Sequence, residues 1–230
     1  MSEQRLPAEW LARANRMATI AALLSATTHE VNNALQVISG SAEMLTPDAE
    51  PPIIARRRDA ISTQALRAST LLAELSAFAR DDTPEGAHAD LSQIAQKALM
   101  LRQHTLSRLR IESAIQQQAP TLPIAASSRA VLQIVLNLLL NGERVLAGRD
   151  GARMTVTTGV RARRAELVVD DNGPGVGSAT LFQPSIVDAP SALGIGLAVG
   201  RWLAERNGGT LDHTPSSLGG AAFTLSFPVG

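Results

Sequence analysis

Residues 168–177 read VVDDNGPGVG, an apolar strand pattern that runs into two carboxylates and then into three glycines at alternate positions. The Asp-Asn-Gly-Pro core is a strong turn sequence by itself, so the simplest interpretation is a tight turn that ends a strand. Whether this turn also serves a ligand depends on the patterns on either side of it.

Outward from this turn, helical and strand patterns alternate from about residue 85 to the end of the chain. We predict helices at 91–101, 127–146 and 196–206, strands at 110–115, 154–160 and 165–169, and a final hairpin formed by 209–211 and 221–229. This alternation predicts a mixed α/β domain.

The first third of the chain has a different pattern, which predicts a helical hairpin. Residues 7–45 have no internal proline, and apolar residues recur every seven positions at Met17, Leu24, Val31, Ile38 and Leu45. A Pro-rich segment, 46–52, interrupts this seam, and a second one follows at Ile54, Ile61, Ala68 and Leu75. We expect two such hairpins to form a four-helix bundle in a homodimer; alternatively, the hairpin folds back onto the rest of its own chain.

Composition excludes several classes of function. The 21 basic residues balance the 21 acidic ones and Tyr is absent, which disfavours nucleic acid as a partner. Without Cys there is no disulfide, thiolate nucleophile or Cys-bound zinc. The most apolar stretch, 131–140, is far shorter than the ~20 residues of a membrane-spanning helix, and no signal peptide pattern opens the chain. We therefore expect a cytoplasmic protein that does not enter a membrane.

His29 is predicted to lie on the outward face of the first helix. Asn33 follows one turn later, and Gln36, Gly40 and Glu43 continue a small, polar track suited to another protein's helix. A lone surface histidine commonly has no role beyond solvation. Glu30, however, is adjacent, and a carboxylate near an imidazole can fix its tautomer and raise its basicity.

Two further clusters are candidate binding elements. Asn137 and Asn141 lie one turn apart on an otherwise apolar helix, where they are either structural hydrogen-bonding residues or oxygen ligands for a hydrated Mg²⁺ and phosphate. Gly194 and Gly196 precede the last helix, where small residues let backbone amides approach an anion. Each cluster alone is weak evidence.

The order and spacing of these motifs resemble the catalytic core of bacterial two-component sensor histidine kinases. Residues 29–33 resemble the H box, 137–141 the N box and 171–175 the D-x-G-x-G box. Residues 181–184 are similar to the F box, and 194–197 to the last glycine box. Five motifs in family order cover nearly the whole chain.

The resemblance implies an α+β protein with two domains. A dimerisation and phosphotransfer hairpin would occupy residues 1–84, and a Bergerat-type ATP-binding α/β sandwich, shared with gyrase, Hsp90 and MutL ATPases, would occupy 85–230. ATP and Mg²⁺ are the implied ligands. The implied nucleotide-binding residues are Asn137, Asn141, Asp171, Gly173, Gly175, Gly194 and Gly196. Among them, Asp171 would accept the adenine amino group, the glycines would allow close backbone approach, and Asn141 would ligate Mg²⁺.

The same resemblance implies an ATP-dependent histidine autokinase. His29 would attack the γ-phosphorus in line, with Glu30 and Asn33 as further catalytic residues, and the phosphoryl group would pass to an aspartate of a response regulator. The regulator's receiver domain would dock near His29, Gln36 and Gly40. In the reverse direction, the Asn33 amide would orient a water that dephosphorylates the regulator.

Two other functions remain open from the sequence. Only nine residues separate Pro184 from Gly194, so the ATP lid would be short. A short lid favours a histidine phosphotransfer relay protein, whose degenerate kinase domain binds no ATP. An ATP-driven clamp would need a glutamate that activates water, and Glu143, two residues after Asn141, does not match that pattern. With 28 residues before His29, we expect either a separate sensor protein or a longer parent chain.

Overall fold

A computed structural model of the chain describes residues 7–80, 88–176, 181–182 and 195–229. These residues form two compact units. The hairpin unit comprises residues 20–80, and the sheet unit comprises residues 7–19 together with the described residues from 88 onward. Helix α1 (Ala8–Glu43) therefore begins in the sheet unit and ends in the hairpin unit.

The hairpin unit consists of α1 from residue 20 and helix α2 (Pro51–Ala79). Prolines occupy the first turn of α2, where the missing N–H has no helical partner to lose. An ion pair joins Arg67 of α2 to Glu30 of α1 at 3.7 Å, each about midway along its helix. With only residues 44–50 between the helices, this pairing requires an antiparallel hairpin, as the sequence predicts.

The stripe that α1 buries is not its apolar seam. Leu23 and Glu30 are buried, whereas Leu24 is 53% exposed and Val31, the next seam residue, is half-buried. Met17 is 63% exposed. Each of these two buried residues precedes a seam residue by one position, which on a helix is a turn of about 100°. A single chain therefore leaves most of its seam facing outward.

The rest of the sheet unit contains three helices and seven strands. In chain order the elements are β1 (Ala89–Asp90), α3 (Leu91–Arg108), β2 (Glu112–Gln117), β3 (Pro123–Ile124), α4 (Ser128–Leu146), β4 (Arg153–Arg161), β5 (Arg164–Asp171), α5 (Gly196–Arg206), β6 (Thr210–Pro215) and β7 (Ala221–Pro228). None of the helices in the described ranges is long and apolar enough to cross a membrane.

Five strands form one sheet in the order β2-β4-β5-β7-β6, in which only the β2–β4 pair is parallel. Burial alternates strictly along β5, so that Ala165, Leu167, Val169 and Asp171 share the covered face. Helix α4 packs between α3 and α5 on the sheet. The result is the predicted α/β sandwich, with Asp171 at the end of a central strand.

The predicted helix at 91–101 is too short, because α3 continues to Arg108. Its apolar pattern breaks at Arg102, which is nevertheless only 4% exposed. Arg102 Nε and NH2 donate to Glu143 Oε1 and Oε2 of α4 at 2.7 and 2.5 Å. The Arg102 charge can be buried because Glu143, 41 positions away, pairs with it. Sequence periodicity does not reveal such a distant partner. The two-residue strands β1 and β3 also carry no pattern long enough to predict.

The same ion pair decides the role of Glu143. Both of its carboxylate oxygens accept from one guanidinium, and the side chain is 7% exposed. A glutamate held in this way between two helices cannot serve as a water-activating base, so the clamp interpretation loses its only candidate on this helix.

We expect Arg102→Met to lower the free energy of unfolding by about 3–5 kcal/mol, because it leaves the Glu143 carboxylate buried and unpaired. The double variant Arg102→Met/Glu143→Leu should recover most of this loss, since both charges are then gone. Urea unfolding of the single and double variants measures the difference. Losses that simply add would show that the two side chains are not coupled.

Candidate active site

Asp171 is the last residue of β5 and is 2% exposed. Its Oδ1 accepts hydrogen bonds from the backbone N–H of Gly173 at 2.8 Å and of Ala221 at 3.2 Å. These donors stabilise the buried carboxylate. Within the described residues its side-chain hydrogen bonds use Oδ1 only, so Oδ2 can accept a hydrogen bond from a ligand.

Glycines surround this carboxylate because no side chain fits there. A Cβ at Gly173 would lie 2.8 Å from Asp171 Oδ1, and Gly175 has a φ of +75°, a conformation that L side chains rarely adopt. A Cβ at Gly220 would collide with both Asp171 Oδ1 and the Gly173 amide. Gly220 was not predicted, although the Gly219-Gly220 pair in the final hairpin is a visible signal.

Asn141 lies in the last two turns of α4 and is half-buried. Its Oδ1 accepts a hydrogen bond from Arg144 NH2 at 3.1 Å. An amide oxygen is the type of ligand that Mg²⁺ accepts, and the exposed guanidinium beside it can bind phosphate oxygens. The sequence argument overlooked Arg144, which its position three residues after Asn141 could have revealed.

Asn137, one turn earlier, is 5% exposed and makes interactions of a different kind. Its Nδ2 donates to the backbone oxygen of Gly196 at 3.0 Å and to Asn15 Oδ1 at 2.8 Å. The structure therefore joins the predicted N-box asparagine to the first residue of α5 through a buried contact within the protein.

The beginning of α5 lies beside these residues. Gly196 is the first helical residue, and Ile195 before it supplies no side-chain cap to the free N–H groups. A Cβ at Gly196 would lie 3.6 Å from Asn137 Cγ, an ordinary contact. Gly194, Gln183, Pro184 and the lid residues between them lie outside the described residues.

Leu181 and Phe182 are the described part of the predicted F box. The guanidinium carbon of Arg201, on α5, lies 3.4 Å from the centroid of the Phe182 ring. Arg201 also donates from Nε and NH2 to the backbone oxygen of Leu211 at 3.2 Å. Arg201 thus ties Phe182 to α5 and β6, a role that no sequence pattern indicated.

His213 lies on β6, on the same sheet face as Asp171. It pairs with Phe223 of β7, and the two rings lie 5.3 Å apart. Burial lowers the pKa of His213 below its ordinary value of 6.5, and the negative charge of Asp171 opposes this shift. The ring is therefore neutral near pH 7, so it adds no positive charge to this end of the sheet.

In the hairpin unit, His29 and Asn33 are exposed on α1, as predicted. Glu30 is 8% exposed, and its carboxylate lies toward Arg67 of α2. The neighbouring side chains of His29 and Glu30 therefore have different surroundings: solvent for the imidazole and the hairpin interior for the carboxylate.

A groove follows the predicted polar track on α1. It has a volume of about 550 Å³ and is lined by Asn32, Leu35, Gln36, Ser39, Gly40 and Glu43. A Cβ at Gly40 would meet nothing within 4 Å, so packing within the chain does not require glycine there. The small residue keeps this surface open.

Two family models match the chain over the units that carry these residues. The model described as "Histidine kinase-, DNA gyrase B-, and HSP90-like ATPase" matches residues 126–230 and includes Asn141 and Asp171. The model described as "His Kinase A (phospho-acceptor) domain" matches residues 19–84 and includes His29. The chain has the catalytic core of a two-component histidine kinase.

Relatives of this histidine kinase core include longer sensor proteins. The C4-dicarboxylate transport sensor protein DctS of Rhodobacter capsulatus is 30% identical over 236 residues, a match that covers 96% of this chain and 35% of DctS. The sensory histidine kinase/phosphatase NtrB of Klebsiella oxytoca is 27% identical over 99% of this chain and 67% of NtrB. The chain thus spans about a third of DctS and two thirds of NtrB.

Solved structures share the fold of this kinase core. The catalytic domain of histidine kinase ThkA superposes with a TM-score of 0.57 at 17% identity, covering 64% of this chain and 97% of that domain. Acinetobacter baumannii histidine kinase AdeS gives a TM-score of 0.52 at 17% identity, covering 88% of this chain and 98% of that structure.

Proposed function

We propose that this chain is an ATP-dependent histidine autokinase that phosphorylates His29 and passes the phosphoryl group to an aspartate of a response regulator. The observation that carries the proposal is Asp171, a buried carboxylate with one oxygen fixed by two backbone amides and the other left for a ligand. An oxygen acceptor fixed in this way suits the amino group of adenine.

The remaining nucleotide contacts follow from the surroundings of Asp171. Gly173, Gly175 and Gly220 let the backbone approach the base, and the uncapped N-terminus of α5 offers N–H groups to phosphate oxygens. Asn141 Oδ1 is the proposed Mg²⁺ ligand. Arg144, which now donates to that oxygen, is free to turn toward the phosphates when the cation binds.

The chemistry proposed at His29 is an in-line displacement. A ring nitrogen attacks the γ-phosphorus, the N–P bond forms as the bond to the β,γ-bridging oxygen breaks, and ADP leaves. Exposure of His29 supports this role, since the imidazole must reach a nucleotide. Glu30, next to His29 in the sequence, is proposed as a further catalytic residue, and its ion pair with Arg67 holds its carboxylate in place.

The proposed partner is a receiver domain that docks in the groove of about 550 Å³ near His29, Gln36 and Gly40. Open, polar helix surface next to the phosphoacceptor supports this placement. Histidine kinase ThkA has been solved in complex with the response regulator protein TrrA, and that kinase superposes on 95% of this chain with a TM-score of 0.54.

We further propose a homodimer built on the hairpin unit. Exposed apolar side chains on both helices support it, because Leu24 of α1 and Leu72 of α2 are 53% and 48% exposed in the single chain and a second hairpin would cover them. Val31 is half-buried, and Leu75, at 7% exposure, is already covered within one chain.

Incubation with γ-labelled ATP and Mg²⁺ should give an acid-labile label that His29→Gln abolishes. Asp171→Asn should weaken ATP binding roughly tenfold or more while folding is kept, because Asn retains the Oδ1 acceptor but presents a donor in place of Oδ2. If calorimetry finds no ATP binding by the unmodified chain, the phosphotransfer relay function replaces the kinase.

Leu24→Glu should convert the dimer to a monomer, because it would bury an unpaired charge in the bundle. Ser25→Glu, an exposed neighbour, is the matched control and should leave the dimer intact. Light scattering at micromolar concentration measures both masses. A folded monomer formed by the unmodified chain would contradict the proposed assembly.

Asn33→Ala should keep His29 phosphorylation and forward transfer but slow the loss of phosphate from the regulator. The amide is proposed to orient the attacking water, so Asn33→Ser should retain part of the rate through its hydroxyl, whereas a methyl group cannot. Pre-phosphorylated regulator provides the assay. Equal dephosphorylation rates for the unmodified chain and Asn33→Ala would leave a one-way kinase.

A further inference from the structure

A buried polar network joins the first turns of α1 to the middle of α4 inside the sheet unit. Asn15 and Thr19 are 7% and 2% exposed, although both are polar. On α4, Gln133 Nε2 donates to Asn15 Oδ1 at 2.8 Å and to Thr19 Oγ1 at 2.9 Å. Such groups are buried only where they find partners, so the contact is built into this conformation.

Asn137 is the centre of the network. Its Nδ2 donates to Asn15 Oδ1 at 2.8 Å and to the Gly196 backbone oxygen at 3.0 Å, and its Oδ1 accepts from Gln133 at 3.1 Å and from Thr19 at 3.3 Å. Both N–H groups of this primary amide are occupied. The hydrogens that reach its oxygen are shared, since the Thr19 hydroxyl also lies 2.9 Å from the Asn15 backbone oxygen. In this conformation the amide has no N–H left to donate to a phosphate oxygen.

A second contact connects the same segment to α5. Arg206 Nη1 lies 3.2 Å from Glu9 Oε1, ten residues along α5 from Gly196. This pair is exposed, so it adds little stability by itself. The pair places the segment 8–19 along α5 as well as α4. In the proposed function, α4 supplies Asn141 to the nucleotide and α5 supplies its N-terminus.

We propose that Asn15 and Thr19 are positioning residues that form an inhibitory latch on the nucleotide site. In the latched state α1 holds Asn137 and the Gly196 turn in contacts that exclude them from ligand binding. Nucleotide that engages Asn137 must then release the segment 8–19, so a displacement of α1 by a signal raises nucleotide affinity. This proposal rests on the proposed ATP-dependent function.

The two sides of the network make matched variants available. Among the described residues, the Asn15 side chain bonds through Oδ1, which accepts from both Asn137 and Gln133. Asn15→Asp keeps an oxygen acceptor for both donors, whereas Asn15→Ala removes it. Thr19→Val keeps the shape of the side chain and removes the hydroxyl. The acceptor, not the volume, is therefore the feature under test.

The experiment is calorimetry of a non-hydrolysable ATP analogue with Mg²⁺ on the full chain and these variants. Asn15→Ala should bind the analogue roughly five- to tenfold more tightly than the unmodified chain, and Thr19→Val should shift affinity less in the same direction. Asn15→Asp should bind no more tightly than the unmodified chain. A merely structural role predicts weaker binding together with a lower Tm.

A second readout does not depend on the variants folding well. If nucleotide releases the segment, trypsin should cut after Arg13 or Arg16 faster when the analogue is present, the reverse of the usual protection by a ligand. Unchanged or weaker binding by folded Asn15→Ala and Thr19→Val, with slower cleavage in the presence of analogue, would overturn the latch and leave the kinase function intact. Absence of analogue binding by every variant and by the unmodified chain would overturn both.

Discussion

The burial of the Asp171 carboxylate is the constraint on which the proposed nucleotide site depends. A carboxylate that is 2% exposed at the end of a central strand needs hydrogen-bond donors, and here the donors are backbone amides of the following turn and of the start of β7. Those amides reach one oxygen only if Gly173 and Gly220 lack side chains. The Asp171 carboxylate therefore fixes where the end of β5 and the start of β7, 50 residues apart in the sequence, must meet.

Helix α4 extends the same logic to the helices around it. It is among the most apolar segments of the chain, and each polar side chain that it buries makes a hydrogen bond to another element: Gln133 and Asn137 to α1, and Glu143 to α3. A different packing of the helices would leave these buried side chains without hydrogen bonds, at a cost in free energy. These few bonds therefore select one arrangement of the helices on the sheet. Asn141, in contrast, is half-buried and retains access to a ligand.

Helix α1 serves the two units with different faces. Before residue 20 it offers polar side chains to α4, and after residue 20 it offers a mixed stripe to α2 while its apolar seam stays exposed. The proposed phosphoacceptor, His29, and the proposed latch residues, Asn15 and Thr19, thus lie on one continuous helix.

The sequence by itself determined the helical hairpin, the α/β sandwich, the helix that begins at Gly196 and the family motifs around His29, Asn141 and Asp171. These features are local, because a seven-residue repeat, an alternating strand or a glycine turn can be recognised from neighbouring residues. Only the tertiary structure decided which helix face is buried, why α3 continues through Arg102 and what Asn137 binds. Each of these depends on a partner far along the chain, and a polar residue does not reveal in sequence whether its partner will be water, a ligand or Asn15.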